Sequence, residues 1–205
     1  MHVRFFLLSF LPFLFLITTP KASHAQLSGI ERLDNNIMID LAEHRTPEKT
    51  AFFLFMSNTY KYGDIGTPAA LLVGGIVGND QQMRQNALYI ASSTAISYGL
   101  TYLVKIIVKR PRPFIKNLKI TSVYVAQNYS FPSGHTSSTF ATATALSIAY
   151  PKWYIIAPAY FWAGSIGYSR MYLGVHYPTD VAGGVLVGGA SAATMLILKN
   201  GMQKP

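Results

Sequence analysis

Three short stretches hold most of the side chains in this chain that could handle a phosphate group. The first runs from Lys105 to Pro113 and ends Lys-Arg-Pro-Arg-Pro, with Arg112 between two prolines. A guanidinium grips phosphate through two parallel hydrogen bonds, whereas an ammonium acts as a point charge. Pro111 and Pro113 should stop the preceding helix and hold Arg112 on extended chain, with Lys109 one turn beyond Lys105 on the same helix face. The second stretch is Phe131-Pro132-Ser133-Gly134-His135, directly before an uncharged helical segment. A helix start presents unpaired N–H groups to an anion, and Gly134 lets that backbone come close. Ser133 can cap the helix and donate to phosphate, and His135 can pass a proton to a leaving oxygen. The third holds Ser169, Arg170, His176 and Asp180. Pro178 places His176 on a loop and Asp180 in the first turn of the next helix. A carboxylate there can bond one imidazole nitrogen and leave the other as a nucleophile.

Each stretch has a plainer reading when taken alone. Basic residues anchor helix ends at headgroups, serine caps helices, and a carboxylate suits the positive end of a helix dipole. Together they supply what phosphoryl transfer needs: cations for the equatorial oxygens, an in-line nucleophile and an acid for the leaving group. Asp180 is the only acidic residue beyond Asp80, so that half of the chain has no carboxylate cluster for a pair of metal ions. The absence of cysteine rules out disulfides and thiolate zinc sites. No cofactor is expected.

The elements that must position these residues read as an all-α bundle. Half of the 205 residues are apolar and 12% are charged, and the mean hydropathy is +0.26. That composition suits a small membrane protein of one domain, although a soluble bundle of very apolar helices has similar helix lengths. Residues 1–25 read as a signal peptide or an uncleaved anchor helix, with a basic Arg4, an apolar run from Phe5 to Ile17, and Ser23-His24-Ala25 before the cut. Residues 26–64 read as amphipathic N-terminal helices, with Ile30, Leu33, Ile37 and Leu41 on one face. Uncharged stretches of 15 to 20 residues follow at Ile65–Asn79, Gln85–Val104, Thr136–Pro151, Trp153–Ser169 and Val181–Leu198. They form the helical-bundle domain over 65–199, and 200–205 is a C-terminal tail. Starting from an exported residue 26, five crossings bring all three stretches to the outer face. The positive-inside rule opposes that orientation, because the outer loops are then the more basic ones.

Lys105-x6-Arg112-Pro113, Pro132-Ser133-Gly134-His135 and Ser169-Arg170-x5-His176-x3-Asp180 resemble, at every defined position, the signature of the type 2 phosphatidic acid phosphatase and vanadium haloperoxidase superfamily. The resemblance covers about residues 65–199. It implies that His176 attacks phosphorus and is transiently phosphorylated, that Asp180 orients it, and that His135 protonates the leaving group and then activates water. It also implies that Lys105, Arg112, Arg170, Ser133 and the Gly134 amide bind the phosphoryl oxygens. The membrane branch is similar to a bundle of six helices. The chain thus has five or six expected spans, depending on the N-terminal segment.

The expected activity is metal-independent hydrolysis of a lipid phosphomonoester or diphosphate, such as undecaprenyl diphosphate, phosphatidylglycerol phosphate, phosphatidic acid or a lipid A phosphate. The expected location is a bacterial inner membrane with the site facing the periplasm. A net charge of +9 suits an anionic partner, and the basic residues form no surface run for nucleic acid. The alternatives are a soluble exported acid phosphatase with broad substrates, vanadate-dependent halide oxidation, and phosphate binding without turnover.

Overall fold

The computed structural model describes residues 24–202, and these form helices joined by loops with no strand among them. In chain order they are α1 (His24–Glu43), α2 (Pro47–Asn58), α3 (Tyr60–Val77), α4 (Gln81–Val108), α5 (Pro113–Lys116), α6 (Gly134–Ala149), α7 (Trp153–Tyr172) and α8 (Pro178–Met202). The expected signal segment lies almost wholly outside the described residues. A division between compact units falls at Asp34, inside α1, and the description below concerns residues 35–202.

Local chemistry sets most of the helix ends. Thr46 accepts a hydrogen bond from the Lys49 N–H and Pro47 follows it, a cap and first-turn pair that start α2. Asp80 caps α4 by accepting from the Met83 N–H at 2.9 Å. That helix ends where Lys109 turns left-handed (φ 51°), because Arg110 precedes a proline and is steered away from helical geometry. Lys109 therefore does not extend the helix face that carries Lys105, as its spacing had suggested.

α6 is the central element and packs against α8, α4 and α7, with α3 also in contact. Its closest partner is α8, because Gly184 and Gly188 lie four residues apart on the shared seam. A Cβ on Gly188 would sit 2.4 Å from the Ser137 carbonyl oxygen and 2.8 Å from the Ala141 nitrogen. On Gly184 it would sit 2.8 Å from the Ser133 oxygen. Backbone meets backbone here, as small-xxx-small pairs allow within a membrane. Gly188→Val should destabilise the fold by about 3 kcal/mol, the upper end for an overpacked core. Thermal unfolding in detergent would measure this.

The bundle is polar inside and apolar outside. Ser93, Thr94, Ser97 and Thr101 of α4 and Thr136, Ser137, Ser138, Thr139 and Thr142 of α6 are buried. Val73, Ile76, Val77, Leu88, Leu103, Ile107 and Phe161 are exposed. A helix that faces water shows the reverse pattern. Two stretches, Gln81–Lys116 and Pro178–Gly201, are long and apolar enough to cross a bilayer by length and composition.

Candidate active site

The three stretches meet at one end of the bundle. His176 lies on the loop between α7 and α8 and is buried, with 2% of its surface exposed. Its backbone is fixed from α7: the N–H groups of Val175 and His176 both donate to the Arg170 carbonyl at 3.2 Å. The turn that brings it there needs Gly174, at φ +78°, where a Cβ would lie 2.4 Å from the Thr121 oxygen.

The imidazole is held between opposite charges. Arg112 Nη1 lies 3.2 Å from Nε2, and Asp180 Oδ2 lies 3.5 Å from Nδ1. A guanidinium can only donate, so Nε2 is the accepting nitrogen and the ring proton belongs on Nδ1, towards the carboxylate. The Nδ1 contact is longer than a good hydrogen bond and leaves that atom without a partner among the described residues. Such contacts commonly shorten when substrate arrives. Burial is the main force lowering the His176 pKa, to about 3. The Asp180 carboxylate opposes that shift, and the guanidinium groups of Arg170 and Arg112 add to it. At neutral pH His176 is a neutral imidazole whose Nε2 lone pair faces the Arg112 guanidinium.

Asp180 is fully buried in the first turn of α8 and is more fully engaged than its spacing to His176 suggests. Its Oδ1 accepts from Arg110 Nη1 at 2.6 Å, and Oδ2 accepts from the Tyr177 N–H at 2.8 Å and from the Ser130 hydroxyl. Arg110 also donates to the Thr179 hydroxyl at 2.7 Å and lies 4.2 Å over the Tyr177 ring. The motif spacing singles out neither Arg110 nor Ser130. The structure makes both of them supports of the carboxylate. Arg110→Ala would leave a buried carboxylate without its cation, so it should lower stability by about 3–5 kcal/mol. Denaturant unfolding of the purified variant would test that.

The cations expected to bind phosphate converge here. Arg112 is buried and donates to the carbonyls of Val175, Gln127 and Asn128 at 2.7, 2.8 and 3.0 Å. Lys105 donates to the Tyr129 carbonyl at 2.6 Å and to that of Ser130 at 3.3 Å. Four consecutive loop carbonyls, 127 to 130, thus hold the two cations in place. A phosphate would exchange with some of these contacts, and no sequence motif announces the loop. Arg170, 3% exposed, donates to the Ser57 hydroxyl and faces the Tyr124 ring at 5.6 Å. Its Nε is buried without a hydrogen-bond partner among the described residues.

Ser133 occupies the N-cap position of α6 without a capping side-chain bond. Its hydroxyl, fully buried, instead accepts from Thr136 Oγ1 at 2.8 Å, while its N–H donates to the Asp180 carbonyl at 2.9 Å. The capping role expected of Ser133 is therefore corrected: Thr136 takes up its oxygen. At Gly134 a Cβ would meet only Thr101 Cγ2, at 3.8 Å, so protein packing does not demand a glycine there. His135 follows in the first turn, half-buried, with the Tyr60 ring centroid 3.9 Å from its own. Among the described residues no three His, Asp or Glu side chains gather as metal ligands.

Two histidines, a buried carboxylate and four cations thus meet at the ends of helices that are polar at their centre. The chain belongs to the PAP2 superfamily, whose family model matches residues 86–203. It is 31% identical over 127 residues to undecaprenyl-diphosphatase BcrC of Bacillus subtilis, covering 62% of this chain and 64% of that one. It is also 31% identical over 123 residues to decaprenylphosphoryl-5-phosphoribose phosphatase of Mycobacterium tuberculosis, covering 59% of this chain and 66% of that one. The chain spans about half to two thirds of the length of the curated relatives it matches. Among solved structures it resembles LpxE of Aquifex aeolicus, with a TM-score of 0.67, 27% identity, and coverage of 80% of this chain and 95% of that one. The transmembrane PAP2-type phosphatidylglycerolphosphate phosphatase of Bacillus subtilis shares the fold at a TM-score of 0.70 and 20% identity, covering 97% of this chain and 98% of that one.

Proposed function

We propose that this protein is a membrane-embedded phosphatase that hydrolyses a lipid phosphomonoester or diphosphate through a phosphohistidine on His176, without a metal ion. The observation that carries the reading is the imidazole held between Arg112 on Nε2 and Asp180 on Nδ1. In the first step Nε2 attacks phosphorus and a P–N bond forms as the P–O bond to the leaving group breaks. Asp180 stabilises the positive charge on the ring, and His135 gives its proton to the departing oxygen. Lys105, Arg112, Arg170 and the first N–H groups of α6, starting at Gly134, neutralise the phosphoryl oxygens. In the second step water attacks phosphorus, His135 takes its proton, the P–N bond breaks and inorganic phosphate leaves.

A lipid substrate is supported by the relatives, which are named as phosphatases of lipid-linked phosphates, and by the structure. An apolar cavity of about 660 Å³, lined by Ile65, Pro68, Leu72, Leu88 and Ala91, includes Tyr60, whose ring lies tilted against that of His135. A chain attached to the leaving oxygen would have somewhere to lie. The apolar exterior and polar interior support crossings by α3, α4, α6, α7 and α8, with a sixth if the N-terminal segment stays attached. In that arrangement residues 65–199 are the catalytic domain and its site faces the periplasm of a bacterial inner membrane. Tyr60 at the start of α3 lies beside the site, which agrees with α3 entering the bilayer from that side.

The test is phosphate release by purified protein in detergent from undecaprenyl diphosphate, phosphatidylglycerol phosphate, phosphatidic acid and a lipid A phosphate. At least one of these should turn over, EDTA should leave the rate unchanged, and vanadate should inhibit. Loss of activity in EDTA with recovery on adding a divalent cation would contradict the mechanism.

A further inference from the structure

Two side chains outside all three motifs stand on α3, which packs beside His135. Tyr60 opens α3 and lays its ring against the imidazole, with centroids 3.9 Å apart and planes inclined by 43°. One turn further along the same helix face is Asp64, 4% exposed. Its Oδ1 accepts from Thr142 Oγ1 of α6 at 2.8 Å, and its Oδ2 accepts from the Tyr98 hydroxyl of α4 at 3.2 Å. The Thr94 hydroxyl of α4 lies 2.8 Å from that of Thr142. A carboxylate at such depth is costly unless its oxygens are satisfied. Here hydroxyls from two neighbouring helices satisfy it, and no ion pair involves it among the described residues. Tyr60 on His135 and Asp64 on Thr142 are successive rungs between the same two helices.

We infer that Tyr60 and Asp64 are positioning residues for His135: Asp64 locks α3 to α6 and α4, and that lock holds the tilted Tyr60 ring against the imidazole, favouring its protonated form. The inference rests on the phosphatase reading above, in which His135 is the acid. The groups whose charge reaches His135 are Arg170 of α7, His176 of the α7–α8 loop, Arg112, and Lys105 of α4. Burial first, and then the cations among them, discourage an imidazolium. On the α3 side stand Tyr60 and, deeper, Asp64 with Tyr98. An aromatic face attracts a cation, so Tyr60 offsets part of that opposition and fixes the ring plane for proton transfer. The closeness of the stack is otherwise unexplained, because Tyr60 and Asp64 belong to none of the phosphate-binding motifs.

The experiment measures kcat and KM for dioctanoyl phosphatidic acid, whose leaving group is an alkoxide, in detergent micelles across pH 5 to 9, beside the burst rate of p-nitrophenol from p-nitrophenyl phosphate, whose leaving group departs without a proton. For Tyr60→Leu, kcat on phosphatidic acid should fall about tenfold with KM little changed, the scale of one cation–π contact. A general acid acts only while protonated, so the alkaline limb of kcat should move to lower pH by about half to one unit. Tyr60→Phe should bring both back towards wild type, and the p-nitrophenol burst rate should respond little. Asp64→Asn should shift the limb in the same direction by less, and it carries the test if Tyr60→Leu fails to fold. A folded Tyr60→Leu or Asp64→Asn protein with wild-type kcat and pH limb overturns the inference alone. So does a loss that Tyr60→Phe does not recover, or an equal loss in the p-nitrophenol burst. A wild-type protein inactive on both substrates and on the other three lipid phosphates named above overturns the phosphatase reading, and this role falls with it.

Discussion

His176→Ala should remove turnover, with a fall on the order of 10⁵–10⁶-fold, as for loss of the nucleophile in other covalent mechanisms. The phosphate-binding groups do not depend on the imidazole. Arg112 is held by three backbone carbonyls and Lys105 by two. The variant should therefore still bind vanadate, and calorimetry of vanadate binding beside the rate assay separates a missing nucleophile from a collapsed pocket. The low His176 pKa adds a pH statement for the free protein. With a value of about 3, the nucleophile stays neutral well below neutral pH, so His176 cannot cause an acid limb of kcat/KM near pH 6. The same shift bears on stability. Unfolded protein protonates this histidine near 6.5 and folded protein near 3, so its contribution is complete above about pH 6.5 and is lost as pH falls towards 3.

The second large effect belongs to His135. His135→Ala should slow hydrolysis of a lipid phosphate by about 10²–10⁴-fold, the usual worth of a positioned general acid. An alkoxide leaves poorly without a proton, whereas p-nitrophenolate leaves well. The first step with p-nitrophenyl phosphate should thus be nearly unaffected, and the phosphoenzyme should accumulate because its hydrolysis still needs His135 as base. A pre-steady-state burst of p-nitrophenol followed by a slow steady state is the expected trace. Equal slowing of burst and steady state would remove His135 from the acid role.

The motifs were legible because each is short and its chemistry is set by residue type. Lys105, Arg112, His135, Arg170, His176 and Asp180 come to one end of the bundle, and the helix starts at Gly134 and Pro178 can be read from local signals. What surrounds them was not legible. Arg110 and Ser130 reach Asp180 across 70 and 50 residues, through loops whose paths no periodicity encodes. Ser133 looks like a cap, but Thr136 one turn on competes for its oxygen, and that choice depends on burial against α8. α3 begins at Tyr60, five residues before the uncharged stretch that announces it, because hydropathy counts Asp64 as a break. Three-dimensional packing supplies the hydroxyls of Thr142 and Tyr98 that make the carboxylate tolerable. For the same reason composition separates buried from lipid-facing helices poorly: α6 is lined with serine and threonine yet lies at the centre of the bundle.

The most direct measurement traps the reaction rather than its rate. Purified protein mixed with a ³²P-labelled lipid phosphate and quenched within milliseconds should carry label that survives base and is lost in acid, the behaviour of a phosphoramidate. Peptide mapping should place the phosphate on Nε2 of His176. Label that survives acid, label on another residue, or undiminished turnover in His176→Ala would contradict the account.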